Sequence, residues 1–166
     1  AVASYLARQM GVTLTDEYTE QMLERPYYGV YYGYAALPMQ PDKLRYLTSE
    51  TIGSCTVYNY ETDKTGAVYD MQKAKGNDLY EVFLSGPISL LTIENPNAES
   101  ERELIVFRDS FASSLAPLLA EGYARITLAD IRYLPAVQLG KLLDFHGQDV
   151  LFLYSAAVLN NSDTLK

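Results

Sequence analysis

The 166-residue sequence has no tryptophan, one cysteine, one histidine and only thirteen lysines and arginines. Each shortage excludes something. Cys55 alone cannot close an internal disulfide, so cysteine usage leaves the redox compartment open, and the residue reads as a small buried hydrophobe. One histidine and one cysteine cannot assemble a zinc site, and no carboxylate cluster has calcium-loop spacing, so no metal is expected. Against twenty-one acidic residues the basic complement leaves a net charge of −8. That argues against nucleic acid or an anionic membrane surface as partner, because both need a positive footprint. No apolar run approaches the length of a membrane span. No glycine-rich phosphate loop follows any strand-like run, and the turn Arg108-Asp109-Ser110-Phe111 is too bulky to cradle a pyrophosphate. No cofactor is called for.

What is present is enough for a core. The apolar fraction is 48% and there are fifteen tyrosines, which favour half-buried strands and polar interfaces. The chain opens on Ala1, inside what reads as a helix closed by Gly11, and the expectation is that further sequence, a targeting segment included, precedes it. Thr13 or Thr15 then caps an expected short second helix containing Tyr18, Met22 and Leu23, ended by Pro26. A glycine-punctuated tyrosine stretch over 27–37 reads as an irregular strand or bulged ribbon. Strands are expected over 44–46, 56–60, 67–69, 80–84 and 88–94, with a turn at 63–66 and a polar loop or helical turn over 71–79. A polar turn over 95–102 makes a β-hairpin the simplest pairing of the last of these with 104–107.

The last third changes rhythm. Strand 104–107, helix 111–121, strand 125–128, helix 135–145 and strand 150–154 form a βαβαβ pattern, so these three strands should be parallel. Phe111, Leu115, Leu118 and Leu119 share the apolar face of the first helix, and Pro117 should kink it. A soft boundary near residue 102 separates a β-rich, tyrosine-containing segment (1–102) from this piece of an α/β sandwich (103–166).

The carboxyl ends of parallel strands are where ligands gather. That edge carries Asp109 and Ser110, then Asp130, Arg132 and Tyr133, then Tyr154, Ser155 and Asn160. Two readings stand side by side. In one, Ser110 is a nucleophile at a strand–helix elbow, with nearby N–H groups and Arg132 available to a developing oxyanion. In the other, Asp109 or Ser110 merely caps a helix, Asp130 and Arg132 form a loop ion pair, Tyr133 and Tyr154 cap the core, and Ser155 ends a strand. A nucleophilic serine needs a base. The lone His146 falls at a helix C-terminus on the opposite, amino edge, so it is assigned to capping, and these 166 residues hold no complete triad.

Residues 105–114, Ile-Val-Phe-Arg-Asp-Ser-Phe-Ala-Ser-Ser, with Pro117-Leu118-Leu119, resemble the "(K/R)DS(Y/F)xxS…P(F/L)L" block of DHHW-family proteins. These are bacterial SGNH-hydrolase-like proteins similar to the alginate O-acetyltransferases. Leu128-Ala129-Asp130-Ile131-Arg132-Tyr133 resembles the family's "(V)DLRY" segment and Asp149-Val150-Leu151-Phe152-Leu153-Tyr154 its "DVLxLY" strand. Tyr28-Gly29-Val30-Tyr31-Tyr32 and the stretch from Leu37 to Asp42 resemble "FYGTxY…P…PD". The resemblance implies a partial SGNH-like α/β/α sandwich from an extracytoplasmic, cell-envelope protein. It also implies acyl-ester transfer or hydrolysis on a polysaccharide or acetylated glycan, with Ser110 as nucleophile. In that family the Asp–His pair belongs to an Asp-His-His-Trp motif absent from this sequence, so this chain alone is expected to be inactive. Two departures concern accessory oxyanion donors: Gly86 is followed by Pro87, and Tyr154 by Ser155, where relatives place Asn. The competing expectation is a non-catalytic envelope module that binds glycan or protein through Tyr27, Tyr28, Tyr31, Tyr32 and Tyr34. Oligomeric state is left open, although unpaired sheet edges would favour association.

Overall fold

A computed structural model describes residues 1–14, 17–29, 32 and 38–165. Helix α1 (Val2–Gln9) ends in a Schellman closure. The N–H of Gly11 bonds the Arg8 carbonyl and that of Val12 bonds Ala7, with Gly11 at φ +67. The expected second helix is not formed. Residues 19–27 are strand β1 (Thr19–Tyr27), paired antiparallel with β2 (Asp42–Thr48), and the register slips between Met22 and Pro26. Proline lacks the ladder N–H and is tolerated at such an irregularity. Thr15, Tyr31, Tyr34 and most of the expected tyrosine ribbon lie outside the described residues.

The main sheet has six strands in the order β4-β3-β5-β7-β6-β8. They are β3 (Thr56–Asn59), β4 (Lys64–Ala67), β5 (Leu90–Glu94), β6 (Glu103–Arg108), β7 (Arg125–Ala129) and β8 (Asp149–Leu153). As expected, β6 runs parallel to both β7 and β8. The expected β5–β6 hairpin is absent, because β7 lies between them and pairs antiparallel with β5. Asn95 shows why: its N–H bonds the Ala124 carbonyl and its Nδ2 the Ala120 carbonyl, so the chain is pinned beside the start of β7. Two other expectations shift. Residues 79–82 form a 3₁₀ turn, started by the Asp78 carboxylate on the Tyr80 N–H, rather than a strand. β4 occupies 64–67, and beyond it Tyr69 makes only an isolated bridge to Phe83.

Period-two alternation in the central strands creates two cores. Leu104 and Val106 of β6, Ile126 and Leu128 of β7, and Leu91 and Ile93 of β5 face one side. There they meet α1, α2 (Glu50–Ser54) and the segment after Ser110. Ile105, Phe107, Ala129 and Leu90 face the other side and meet Leu139 of α4 (Ala136–Leu142). The β6–β7 crossover therefore lies on one face and the β7–β8 crossover on the other. The first crossover begins with α3 (Phe111–Leu115), which tightens at Pro117 into a 3₁₀ stretch over Ala116–Gly122. Proline thus shortens the expected helix to five α-helical residues. Phe111 leaves the core face and is 63% exposed.

Leu104 is fully buried in β6, between β7 and β8. Leu104→Ala should lower unfolding free energy by about 2–5 kcal/mol, measured by urea denaturation, because the pleated sheet cannot close the cavity left behind. A change below about 1 kcal/mol would place the strand outside the core.

Candidate functional site

β6 and β7 are neighbours whose following connections depart to opposite faces, which opens a crevice at their carboxyl ends. Ser110 follows β6 there, and Asp130 and Arg132 follow β7. The sequence-expected residues divide sharply in what they do. Asp109 is 2% exposed and its carboxylate is committed: Oδ1 accepts the Phe111 N–H at 3.0 Å and Oδ2 accepts the Ser155 N–H at 2.7 Å. It therefore starts α3 and ties the ends of β6 and β8 together. Ser110 makes no capping bond and is exposed. Of the two capping readings, the structure gives the cap to Asp109 and leaves the Ser110 hydroxyl without a capping bond.

Asp130 and Arg132 form the loop ion pair. Arg132 Nε donates to Oδ1 at 2.9 Å and an Nη to Oδ2 at 2.6 Å, with the Arg132 N–H also on Oδ1 at 3.1 Å. Asp130 is 3% exposed, so this bidentate pair is better shielded than an ordinary surface contact. The Arg132 guanidinium lies 5.3 Å from the ring centre of Tyr133. Tyr133 does not cap the core; it is exposed and serves as the face on which Arg132 rests. Ser155 caps the short helix α5 (Ala156–Asn160) through the Val158 N–H. Ser110, Arg132, Tyr133 and Ser155 together line a cavity of about 720 Å³, to which Asn161, not the expected Asn160, contributes.

Two residues that matter here escaped the sequence reading. Arg108, only 1% exposed, donates to Ser113 Oγ and to the Ile88 carbonyl, both at 2.8 Å, which joins the end of β6 to the loop before β5. Burial pulls its pKa down and the nearby Asp130 carboxylate opposes that. Its parity with Leu104 and Val106 was the available signal, since it places a cation on a buried face. The Tyr80 hydroxyl donates to the Ser110 carbonyl at 3.0 Å and shares a hydrogen bond of 2.9 Å with the Ser114 hydroxyl, from which it accepts, bracing the elbow from the far side. Nothing local in the sequence marks it. Beside these, the loop entering β5 has three consecutive positive φ values, at Leu84, Ser85 and Gly86, of which only the last is natural to its residue.

His146 lies beyond the end of α4 rather than capping it; its Nδ1 meets the Asp144 carbonyl at 3.2 Å and its Nε2 is 3.8 Å from Glu103. Glu103 begins β6 and Ser110 follows its end, so roughly 20 Å of strand separates them. His146 is not the base for Ser110. No group of three or more potential metal ligands occurs among the described residues.

Known structures share this fold. A DHHW family protein from Eubacterium siraeum DSM 15702 matches 98% of the chain with a TM-score of 0.74 at 21% identity. Two structures of Bacillus cereus PatB1, one of them with a sulfonyl adduct, match 95% with TM-scores of 0.67 at 19–20% identity. The chain spans only 56–57% of the length of these proteins. No family profile matches the sequence. None of the curated proteins matches it. The α/β arrangement expected from the motifs, with β6, β7 and β8 parallel after a β-rich segment, is the fold observed, and the complete sheet is mixed.

Tyr154 packs on the second core with its hydroxyl buried and, among the described residues, unpaired, and burial, with Asp130 adding to it, pushes its pKa up to about 12. Tyr154→Phe should leave stability unchanged or raise it by up to about 1 kcal/mol, since it removes an unsatisfied group. The folded state holds this phenolic proton while the unfolded chain releases it near pH 10. This group therefore leaves stability independent of pH below about 10 and lowers it as pH rises from there towards 12. An absorbance titration of tyrosinate should lose one late-titrating group in the variant, and loss of a group titrating near 10 would contradict the assignment.

Proposed function

We propose that the chain is the serine-bearing part of a cell-envelope esterase or O-acetyltransferase that acts on a glycan, with Ser110 as nucleophile. The observation that carries this is the division of labour at the elbow. Asp109 supplies the cap that a serine would ordinarily provide, and Ser110, exposed and without a capping bond, lines the same cavity as Arg132. A structural serine would be expected in the opposite state. The shared fold is consistent with the reading, as is the sulfonyl adduct on PatB1, since sulfonyl groups attach to activated nucleophiles.

In the proposed reaction Ser110 Oγ attacks an ester carbonyl, its proton passes to a base, and the acyl group is transferred to Oγ as the sugar oxygen leaves. Water or a second sugar hydroxyl then takes the acyl group. Arg132, fixed by Asp130, supplies a charged donor near the developing oxyanion. The base is assigned to polypeptide outside these 166 residues, because His146 sits at the wrong end of β6. An envelope location and a glycan partner belong to the same proposal and rest on the motif resemblance.

The test uses the protein as its gene encodes it. It should hydrolyse a small aryl acetate, and Ser110→Ala should reduce kcat/KM by at least about 10³-fold while leaving thermal unfolding in place. Full activity in Ser110→Ala would end the proposal. The chain of 166 residues alone should show no such hydrolysis.

A second reading has one observation of its own. The rings of Tyr28 and Tyr32 lie 4.4 Å apart and both side chains are substantially exposed, a surface suited to stacking on a sugar ring. Under that reading Tyr28→Ala would abolish polysaccharide binding while Ser110→Ala would not.

A further inference from the structure

The β3–β4 hairpin borders a cavity of about 820 Å³ that the chemistry at Ser110 does not use. Its place in the sheet is fixed by register. Asn59 stands opposite Leu91, Leu91 opposite Leu128, and Leu128 opposite Val106, so the carboxyl end of β3 reaches the same rim as those of β7 and β6. β3 and β6 are three strand spacings apart, roughly 14 Å. Shared walls fill that interval. Pro87 lines both the large cavity and a small one of about 110 Å³. Ser110 and Arg132 in turn line both the small one and the cavity of about 720 Å³ beside it. A series of adjoining hollows therefore follows one rim from the β3–β4 hairpin to the end of β8.

The lining of the large cavity combines fixed acceptors with free donors. Glu61 is held by the Ser89 N–H at 2.7 Å on one carboxylate oxygen, which leaves the other available. Asp70 accepts the Gln72 N–H at 3.1 Å and the Ser85 hydroxyl at 3.0 Å. Asn59 Oδ1 accepts the N–H groups of Glu61 and Thr62. Among the described residues, Asn59 Nδ2, the Lys64 ammonium and the Gln72 side-chain amide make no hydrogen bond. Beneath these groups the lining is apolar. Val57 and Leu84 are buried, and Tyr69 adds a half-buried ring held by its hydroxyl on the Leu47 carbonyl at 2.6 Å. A sugar ring carries hydroxyls around its edge and C–H groups on its faces, so oriented carboxylates, unengaged donors and an apolar floor match it. Lys64 and Lys73 balance Glu61 and Asp70, which suits a saccharide better than a nucleic acid or a strongly charged peptide.

We propose that this cavity is a subsite for sugar units of a linear glycan, set along the polymer from the unit that carries the ester at Ser110. It builds on the esterase reading and adds where the remainder of the polymer lies. The loop with positive φ at Leu84, Ser85 and Gly86 forms the partition between the two ends of the site. It is tied on one side to Asp70 through Ser85, and on the other to Arg108 through Ile88. Sugars held beyond the partition contribute binding energy remote from the reacting ester, and a short ester cannot draw on it.

Binding is measured by calorimetry on the Ser110→Ala protein as its gene encodes it. The probes are dimers and hexamers of N-acetylglucosamine, of glucose and of mannuronic acid, which cover amino, neutral and acidic sugars. At least one hexamer should bind about tenfold or more tightly than its dimer. Lys64→Ala together with Gln72→Ala, both exposed positions, should weaken that hexamer by about tenfold or more and remove its advantage over the dimer, with thermal unfolding unchanged. Equal affinities for dimer and hexamer, a hexamer unaffected by the paired substitutions, or no binding of any probe would each overturn the proposal. The measurement takes place without the Ser110 hydroxyl, so these outcomes leave the esterase reading untouched, and aryl acetate hydrolysis decides that reading separately.

Discussion

The Asp109 carboxylate is the contact on which the carboxyl rim depends. One oxygen holds the first N–H of α3 and the other holds the N–H that opens α5, so a single buried group fixes two strand ends and two helix starts. A charge removed from water must be met by strong donors, and here it is met by two backbone N–H groups whose positions the sheet already determines. The consequence is local and specific. With the cap supplied from the preceding residue, the serine side chain at the turn makes no capping bond.

Around that clasp the rim is rigid on one side and strained on the other. Arg108, buried at the end of β6, holds the Ile88 carbonyl, and Tyr80 holds the Ser110 carbonyl. The loop between Val82 and Ile88 is thus pressed against the elbow in a conformation that two of its residues do not favour unaided. Strain of this sort, on the order of 1–3 kcal/mol per residue, persists only where surroundings over-determine the backbone. Two buried anchors provide that here.

The parts of the fold that were legible in the sequence are those set by local patterns. Unbroken apolar strands with helices between them announced the parallel β6–β7–β8 unit, and Gly11 and Pro117 marked real changes of backbone course. What misled was pairing. Sequence proximity put β5 beside β6, yet the crossover inserts β7 between them, and no local signal reports which strand a chain returns to. β1 was misread as a helix because a two-stranded ribbon with exposed side chains carries no clean period. At the site, the cluster of Ser110, Arg132, Tyr133 and Ser155 followed directly from parallel strands. The separate tasks of Asp109 and Ser110 did not, since either residue type can cap a helix and only the hydrogen bonds distinguish them. Tyr80 reaches the elbow from thirty residues away and left no trace in the local pattern.

The most direct test of the central claim is covalent labelling of the encoded protein with an aryl sulfonyl fluoride, read site by site by mass spectrometry, in wild type and in Asp109→Ala. The account predicts one modified residue, Ser110, and labelling at least tenfold slower in the variant while the protein stays folded, because the serine is then drawn into the vacated capping role. Labelling at another residue, or an unchanged rate at Ser110 without the Asp109 clasp, would contradict it.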